Sequence, residues 1–259
     1  MTGTGPSTEP DRAEPDRAEP QQAEPEQAEP DQAGFAAVVL AGGAARRMGG
    51  ADKPALPVGG RPMVDRVLAA VADADLRVVV GPTGDLPAGV RATREQPPGG
   101  GPVAAVAAGL ALLPDTLPAD TSRAAPPTPF DATPALSDAP ALSDGGTVAL
   151  LAADLPLLTA DAVRQLRTAL SGATSADGVV YVDDAGRAQF LCGVWRVAPL
   201  RAALTRLAAG RNGVLTGTSM RALIAELTVT EVAWQGSGPP PWFDCDTEDD
   251  VRRAEEWIR

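Results

Sequence analysis

Short apolar runs and amphipathic segments alternate along most of the chain after residue 34. The runs FAAVVLA (35–41), LRVVVG (76–81) and TVALLAAD (147–154) are continuous and short, which is typical of strands buried on both faces of a sheet. Between them, apolar residues recur at every third or fourth position, as they do in amphipathic helices. Strands that alternate with helices predict an α/β sandwich with a mostly parallel sheet.

The same spacing places the remaining elements. One helix begins near Pro62 and carries Val64, Val67, Leu68 and Val71 on a single face. Further helices are predicted over 101–113, 159–170, about 198–209, about 219–227, and from about residue 247 onward. Further strands are predicted at GVVYV (178–182), AQFLCGVW (188–195) and LTVTEVAW (227–234). Ligands of such sheets bind beyond the carboxyl ends of the strands, so the residues that follow each strand are the first candidates for a site.

Two segments do not fit this alternation. Residues 10–33 repeat a five-residue unit that begins with proline, and proline at every fifth position prevents a continuous helix. Residues 114–146 are rich in Pro, Ala, Ser and Asp and contain the local duplication PALSDAPALSDGG. We therefore predict a disordered, acidic, Pro-rich tail over 1–33 and a single domain over 34–259 that carries a low-complexity surface insertion at about 114–146.

The net charge of −12 is concentrated in the tail. Residues 1–33 contain nine acids and two bases and so carry −7, which leaves −5 for the rest of the chain. A mildly acidic body does not attract nucleic acid through its long-range field. There is no stretch of about 18 apolar residues, and the acidic N-terminus is unlike a signal peptide, so we expect a cytoplasmic protein without a membrane span.

The chain contains no histidine, which excludes Ser-His and Cys-His catalytic pairs and histidine-ligated zinc. Its two cysteines, Cys192 and Cys245, are far apart in sequence and do not form a CxxC motif. Lone cysteines of this kind are usually small apolar fillers in a reducing compartment.

The segment LAGGAARRMGGADK (40–53) follows the first predicted strand. Its glycines allow backbone N–H groups to approach an anion, and Arg46, Arg47 and Lys53 add three positive charges. A triphosphate requires both kinds of donor. The segment is neither a Walker A loop nor a dinucleotide GxGxxG motif. The alternative is an ordinary strand–turn–helix corner with solvated basic side chains.

Carboxylates follow the later strands. Asp154 comes directly after the strand 147–154, where it could hold Mg²⁺ against phosphate oxygens or, alternatively, accept turn amides before a proline. In the segment FDCDTEDD, Asp244 and Asp246 alternate and so point to one side if the chain is extended. Asp246 could complete a metal site with Asp154. The alternative is a helix cap, because Thr247 and Asp250 have the spacing of a capping box.

Together these segments resemble the MobA-like nucleotidyltransferases, and most closely the molybdenum cofactor guanylyltransferases. The residues from 40 to 67 match the family signature LAGGxxxRMGxxxK, and GGGPVAAVAAGL (99–110) is similar to its second glycine-rich segment. AADLPLL (152–158) resembles the metal-aspartate motif, and DCDTEDD (244–250) resembles the terminal motif. The first motif is specific, and the order and spacing agree from about residue 35 to 259 apart from the insertion.

The resemblance implies a Rossmann-like three-layer αβα sandwich of the nucleotide-diphospho-sugar transferase type. It implies transfer of GMP from GTP to the phosphate of molybdenum-bearing molybdopterin with Mg²⁺, and it admits molybdoenzyme maturation proteins as partners. Carried over residue by residue, it implies nucleotide contacts, catalytic residues and metal ligands. The nucleotide contacts are Leu40, Ala41, Gly42, Gly43, Lys53, Gly81, Glu95 and Asp154. The catalytic residues are Arg47, Lys53 and Asp154, and the metal ligands are Asp154 and Asp246.

Four departures from the family pattern leave the nucleobase open. Gly81 stands where some guanylyltransferases have asparagine, and Glu95 stands in place of an aspartate. Ala104-Ala105 stands where Ala-Gly is usual, and Glu248 replaces the usual proline.

One alternative is the same reaction with CTP or with another phosphorylated acceptor. A second is a nucleotide-binding module without catalysis, although the presence of both Lys53 and Asp154 argues against it. Since a phosphate monoester is already ionised near neutral pH, the implied reaction needs no histidine base; it needs alignment and charge neutralisation.

Overall fold

A computed structural model describes residues 1–3, 34–42, 53–82, 84–114 and 146–259. The predicted tail lies outside these residues apart from its first three. The predicted insertion also lies outside them, apart from its end residues Pro114 and Gly146. Among the described residues, every helix is too short or too polar to cross a membrane.

The strands form one large sheet and one small hairpin. They are β1 (Phe35–Leu40), β2 (Pro57–Val58), β3 (Arg61–Pro62), β4 (Leu76–Val80), β5 (Val90–Thr93), β6 (Thr147–Ala152), β7 (Gly178–Val182), β8 (Ala188–Arg196) and β9 (Val229–Val232). The seven-stranded sheet has the order β5-β4-β1-β6-β8-β7-β9, and β2 pairs with β3. All neighbours in the large sheet are parallel except that β8 runs antiparallel to both β6 and β7.

Helices cover both faces of the large sheet. They are α1 (Met63–Ala70), α2 (Pro102–Leu110), α3 (Ala160–Gly172), α4 (Val197–Ala209), α5 (Met220–Ile224) and α6 (Glu248–Ile258). A 3₁₀ turn spans Lys53–Ala55. The predicted three-layer sandwich with a mostly parallel sheet is confirmed.

The predicted strands and helices are all present, with ends that differ by a few residues. The prediction missed β5, because its sequence VRAT is an edge strand with two exposed central residues and so lacks an apolar run. It also missed the hairpin β2–β3, whose strands have only two residues each. The helix predicted over about 219–227 is shorter, because α5 ends at Ile224 and is followed by a turn.

Side chains of the central strand alternate between two hydrophobic clusters. Phe35, Ala37 and Val39 of β1 pack on one face with buried residues of α1 and α3. The intervening residues of β1 pack on the other face with α2, α4 and α5. Because both faces are covered, the strands are continuously apolar, which is the property that made them recognisable in sequence.

A third, smaller cluster fastens the peripheral segments. It consists of Val58, Met63, Leu157, Cys245 and Ala254, and it joins the β2–β3 hairpin, the start of α1, the segment after β6 and the C-terminal helix α6. The candidate site residue Asp246 follows Cys245 of this cluster directly. The candidate site residue Lys53 lies shortly before the β2–β3 hairpin that the cluster anchors. The cluster therefore holds together segments that are separated by about two hundred positions in the chain, between Val58 and Ala254.

The reversal of β8 changes what lies at the carboxyl edge of the sheet. Leu151 near the end of β6 is paired with Cys192, so the residues before Cys192 continue past the end of β6 toward Asp154. The first residues of β8, from Ala188 to Leu191, thus lie at the edge where the parallel strands end. A turn of the chain joins them to β7 there.

Gly109 lies in α2 where that helix packs against β1 and β4. A methyl group at this position would overlap Val38 and would lie 3.0 Å from Cγ2 of Val80. We expect Gly109→Ala to lower the free energy of unfolding by about 1–2 kcal/mol, because overpacking outweighs the gain of about 1 kcal/mol in helix propensity. Thermal or urea unfolding measures this. The matched control is Gly172→Ala at the end of α3, where the methyl group meets nothing within 4 Å; an equal loss in both variants would contradict the packing argument.

Candidate functional site

The start of the glycine-rich loop is held at the carboxyl edge of the sheet. Leu40 ends β1, Ala41 is buried and Gly42 is exposed. The amide of Ala41 donates to the carbonyl of Val80 at 2.8 Å, which ties the loop to β4. Gly43, Arg46 and Arg47 lie outside the described residues, so the roles predicted for Gly43 and Arg47 stay predictions.

The loop returns to the described structure at Lys53, whose ammonium group lies between two carboxylates. Its Nζ is 2.5 Å from Oδ2 of Asp154 and 2.6 Å from Oδ1 of Asp246. The three side chains come from the first loop, the end of β6 and the segment before α6. The structure thus brings together Lys53, Asp154 and Asp246, three residues proposed from sequence as a phosphate ligand and two metal ligands.

The environment of Lys53 favours the charged form of its side chain. Its side chain is only 16% exposed. Burial by itself would lower the pKa of Lys53, but the hydrogen bonds to Asp154 and Asp246 and their negative charges outweigh burial and raise it above the ordinary 10.5. The ammonium group is therefore fully charged at neutral pH.

Backbone hydrogen bonds connect Lys53 to the β2–β3 hairpin and to the start of α1. The carbonyl of Lys53 accepts the amide of Leu56 at 3.1 Å, and the carbonyl of Leu56 accepts the amide of Met63 at 3.1 Å. Met63 is fully buried in the third cluster. The 3₁₀ turn and hairpin thus connect the lysine to a packed core, although the loop before it is rich in glycine.

Two hydrogen bonds place Asp154. The amide of Ala153 donates to the carbonyl of Leu40 at 3.0 Å, which fixes the end of β6 beside the end of β1. The carbonyl of Asp154 itself accepts the amide of Cys245 at 3.2 Å. This second bond brings the segment 244–246 to the edge of the sheet, and it explains how Asp246 reaches the same ammonium group.

The terminal motif contains both the predicted helix cap and the predicted site residue, and different residues supply them. Thr247 is the N-cap of α6, with its side chain accepting the amide of Asp250 at 3.2 Å. Asp250 completes the capping box by accepting the amide of Thr247 at 2.8 Å. The side chain of Asp246 instead contacts Lys53. The capping box exists as predicted, and Asp246 is not the cap.

Cys245 separates the two acids of this segment and is fully buried in the third cluster. Burial, with smaller contributions from nearby carboxylates, raises the pKa of its thiol to about 12. A neutral thiol is neither a nucleophile nor a metal ligand at neutral pH. Cys245 therefore acts as an anchor that fixes the direction of Asp244 and Asp246.

The arrangement fits one hard divalent cation. Two carboxylate oxygens converge on a single point, which the Lys53 ammonium now occupies. The described residues contain no group of three or more His, Cys, Asp or Glu that could hold a metal ion. Mg²⁺ commonly takes one or two carboxylates and completes its shell with water and substrate phosphates, so the pair Asp154 and Asp246 is a sufficient protein contribution.

The backbone conformation and close contacts at position 81 explain why a glycine lies there. Its φ of +135° disfavours other residues, and a Cβ there would lie 2.8 Å from both the carbonyl carbon of Ala41 and the amide nitrogen of Gly42. The position is thus closed to any side chain, including the asparagine of some family members. The close approach of two backbones keeps the start of the glycine-rich loop in place.

Glu95 is buried near the same loop and is incompletely paired. One of its oxygens, Oε1, accepts the amide of Gly99 at 2.9 Å. A Cβ on Gly42 would lie 3.8 Å from this oxygen, so the carboxylate is close to the loop. The other oxygen, Oε2, is buried and has no hydrogen-bond partner among the described residues. An unsatisfied buried carboxylate oxygen is costly, and a bound ligand would satisfy it.

The sequence prediction did not assign to the site Gln189, Trp242 and Asp244, which line a pocket together with Asp154. A pocket of about 230 Å³ is lined by Asp154, Gln189, Trp242 and Asp244, among others. Asp244 was noted in the sequence as part of an acidic segment but was not assigned to the site. Gln189 and Trp242 had no recognisable signal, because only the antiparallel course of β8 brings Gln189 to this edge.

Comparison with known proteins agrees with the geometry. The sequence model of the MobA-like NTP transferase domain matches residues 37–229. This chain belongs to the MobA-like NTP transferase family. It is therefore a nucleotidyltransferase, and the predicted enzyme class and family are confirmed.

One relative and two solved structures of similar fold match most of the chain. A protein named molybdenum cofactor guanylyltransferase from Bradyrhizobium sp. (strain ORS 278) is 29% identical over 227 residues, which cover 84% of this chain and 90% of that protein. The fold resembles molybdopterin-guanine dinucleotide biosynthesis protein A from Archaeoglobus fulgidus, with a TM-score of 0.58, 16% identity, and coverage of 86% and 97%. It also resembles 2-C-methyl-D-erythritol 4-phosphate cytidylyltransferase from Thermus thermophilus, with a TM-score of 0.52, 19% identity, and coverage of 86% and 98%.

The surroundings of Asp244 predict a stability that depends on pH. Partial desolvation, followed by the charges of Asp246 and Asp154, raises the pKa of Asp244 above the ordinary 3.8. Because the pKa is higher in the folded state, the ionised side chain reduces the free energy of unfolding at neutral pH, and protonation removes this penalty in acid. We expect Asp244→Asn to raise the melting temperature at pH 7 in metal-free buffer, by the equivalent of at most about 1 kcal/mol because the side chain is exposed.

This gain should shrink as the pH falls toward the range in which Asp244 is protonated. Thermal unfolding between pH 4 and pH 7 measures it, with Asp184→Asn on the exposed turn between β7 and β8 as the control. A gain that does not depend on pH, or an equal gain in the control, would show that charge repulsion at Asp244 is not the cause.

Proposed function

We propose that this nucleotidyltransferase transfers GMP from GTP to the phosphate of a molybdopterin acceptor, with Mg²⁺ bound at Asp154 and Asp246. The observation that carries the proposal is the convergence of Lys53 with these two carboxylates at the end of β6. The relative named molybdenum cofactor guanylyltransferase, which is similar over 90% of its length, supports the choice of substrates.

The chemistry requires alignment more than proton transfer. An oxygen of the acceptor phosphate attacks the α-phosphorus of GTP and forms a new phosphorus–oxygen bond. The bond between the α-phosphorus and the bridging oxygen breaks, and pyrophosphate leaves with the electron pair. Since the acceptor oxygen is already ionised, no general base is needed, in agreement with the absence of histidine from the chain.

The residues have separate parts in this scheme. Asp154 and Asp246 hold the cation, which when bound would neutralise charge on the phosphates. Lys53 donates to phosphate oxygens of GTP, a role that suits an ammonium group with a raised pKa. The same ammonium group contacts both carboxylates, so it offsets one of their two negative charges and screens their mutual repulsion. Arg47, which lies outside the described residues, is the further cation that we propose for the phosphates.

Glu95 supports guanine as the base. Guanine offers two adjacent donors, N1–H and the 2-amino group, whereas cytosine offers one amino donor beside an acceptor. A buried carboxylate with an unpaired oxygen pairs with donors. It lies beside the loop that starts at Gly42 and is braced by the amide of Gly99. With position 81 closed to side chains, Glu95 is the group near this loop that we propose to recognise the base.

Pyrophosphate release tests the reaction and the role of Asp154. With GTP, Mg²⁺ and molybdopterin, the wild type should release pyrophosphate, and Asp154→Asn should lower the rate by roughly a hundredfold or more because metal-assisted charge stabilisation contributes several kcal/mol. Asp161→Asn, an exposed carboxylate at the start of α3, is the matched control and should retain full rate. The reaction proposal would be wrong if no nucleotide supported release, or if Asp154→Asn turned over like the wild type.

Thermal protection by nucleotides tests the base. GTP with Mg²⁺ should raise the melting temperature of the wild type more than CTP does. Glu95→Gln should lose most of the GTP shift, because an amide N–H₂ replaces an oxygen that faces guanine donors, with a cost of about 1–3 kcal/mol. Gln96→Glu, at an exposed neighbouring position, controls for charge changes in this segment. A wild type protected by CTP rather than GTP would assign the enzyme to cytidylyl transfer.

A further inference from the structure

The connection between α4 and α5, residues 210–219, contacts the segment that leads from Glu95 into α2. This connection is named the α4–α5 loop, and residues 99–101 are named the glycine segment. The amide of Gly217 in the loop donates to the carbonyl of Gly100 in the segment at 2.8 Å. The two residues are far apart in the chain, so this hydrogen bond is a tertiary contact between the loop and the surroundings of Glu95.

The backbone of the loop packs directly against the start of α2. Gly101 is the N-cap of this helix, with a φ of +94°. A Cβ on Gly101 would lie 3.8 Å from the amide nitrogen of Gly217 and 4.0 Å from the carbonyl oxygen of Thr218. Thr218 is only 4% exposed. This end of the loop is therefore part of the packed structure, whereas the residues from Arg211 to Val214 are exposed.

The glycine segment connects this contact to Glu95. The amide of Gly99 donates to Oε1 of Glu95 at 2.9 Å, and the amide of Gly100 donates to the carbonyl of Pro97 at 3.0 Å. A Cβ on Gly100 would lie 3.1 Å from Cβ of Ala104 and 3.7 Å from Cγ of Glu95. The amides of the segment thus bond to residues 95–97, while the carbonyl of Gly100 bonds to the loop. The position of the Glu95 carboxylate therefore depends on a segment that the loop holds.

Buried polar atoms near the glycine segment lack partners. Oε2 of Glu95 and Oγ1 of Thr218 are both buried and have no hydrogen-bond partner within the described part of the chain. Buried polar atoms are paired in the large majority of cases, with the protein or with a bound molecule. The two atoms are a second observation, independent of the contact between backbones, that indicates a polar ligand beside the segment.

Hydrogen bonds within the loop give it a defined shape. Nε of Arg211 donates to the carbonyl of Val214 at 3.1 Å, and Nη2 donates to the carbonyl of Thr216 at 3.5 Å. The amide of Gly213 donates to the carbonyl of Ala208 at 2.8 Å, which ties the first part of the loop to the end of α4. The Arg211 side chain thus bridges the exposed part of the loop to the residue before Gly217.

We infer that Gly217 is a positioning residue for the nucleotide: its amide holds the carbonyl of Gly100, and this contact fixes the glycine segment and Glu95 in the orientation that binds the base. The inference rests on the proposed function, in which Glu95 recognises guanine. A site that is held in its binding conformation loses less freedom when the ligand binds, and the affinity rises accordingly. The α4–α5 loop therefore sets the affinity for the nucleotide through backbone contacts.

Two glycines of the same loop provide a matched test. Gly217 and Gly213 are both exposed, have φ values of +73° and +82°, and would each place a Cβ in open space. Alanine strains the backbone at either position, but only at Gly217 does relief of the strain move the donor to Gly100. Calorimetric titration of the full chain with GTP and Mg²⁺ should show a roughly three- to tenfold weaker affinity for Gly217→Ala. Gly213→Ala should bind like the wild type.

Steady-state kinetics separate positioning from a general loss of stability. Gly217→Ala should raise KM for GTP by a similar factor and leave KM for molybdopterin unchanged, whereas partial unfolding would lower the rate without this selectivity. If Gly217→Ala does not fold, Arg211→Met replaces it, because it removes the bonds to Val214 and Thr216 at an exposed position. It should also raise KM for GTP and not KM for molybdopterin. Arg206→Met, which loses contacts to Glu226 alone, is its control.

The outcomes distinguish this inference from the proposed function. The positioning role is overturned if the wild type binds GTP and the folded Gly217→Ala variant binds it equally well, or if Gly213→Ala loses as much affinity. Where Arg211→Met takes its place, an unchanged KM for GTP overturns the role. If the wild type binds CTP instead of GTP and Gly217→Ala weakens that binding, the proposed guanine specificity fails while the positioning role holds. A wild type that binds neither nucleotide contradicts both.

Discussion

The ammonium group of Lys53, held between Asp154 and Asp246, is the interaction on which the arrangement of the site depends. The three residues belong to segments that the sheet alone would not bring into register, because two of them lie in loops. Two like-charged carboxylates this close would repel each other without a cation between them. The lysine attracts both carboxylates and so offsets that repulsion, which allows the chain's own residues to hold the two acids close together.

This electrostatic contact is useful only because packing behind it limits the freedom of each partner. Cys245 is buried in the same cluster as Val58 and Met63, and its amide is bonded to the carbonyl of Asp154. The hairpin and α6, which are small and peripheral, thus determine where Lys53 and Asp246 can lie. An exposed ion pair would contribute little to stability, but here a packed apolar cluster fixes the geometry and the charges add direction.

The sequence was most informative where the physical signal is local. Buried parallel strands are continuous apolar runs, so the central strands and the residues that follow them, including Asp154, could be placed without a structure. The role of Asp246 could not be separated from helix capping, because the capping box beside it uses the same residue types within a few positions. Gln189 was out of reach for a different reason: strand direction depends on pairing partners, and no local pattern in β8 indicates that it runs antiparallel.

The reversal of β8 also divides the enzyme into two parts that can change independently. The strands that end under the proposed nucleotide site are parallel, and helices α1 and α2 lie in the connections that follow β1 and β5, so altering these connections would displace packed layers of the sandwich. The side that carries Gln189 is instead formed by a β7–β8 hairpin whose two ends re-enter the sheet beside each other. Its tip can gain, lose or exchange residues without moving a parallel strand. A fold with this property can adopt new acceptors while its nucleotide chemistry stays constant.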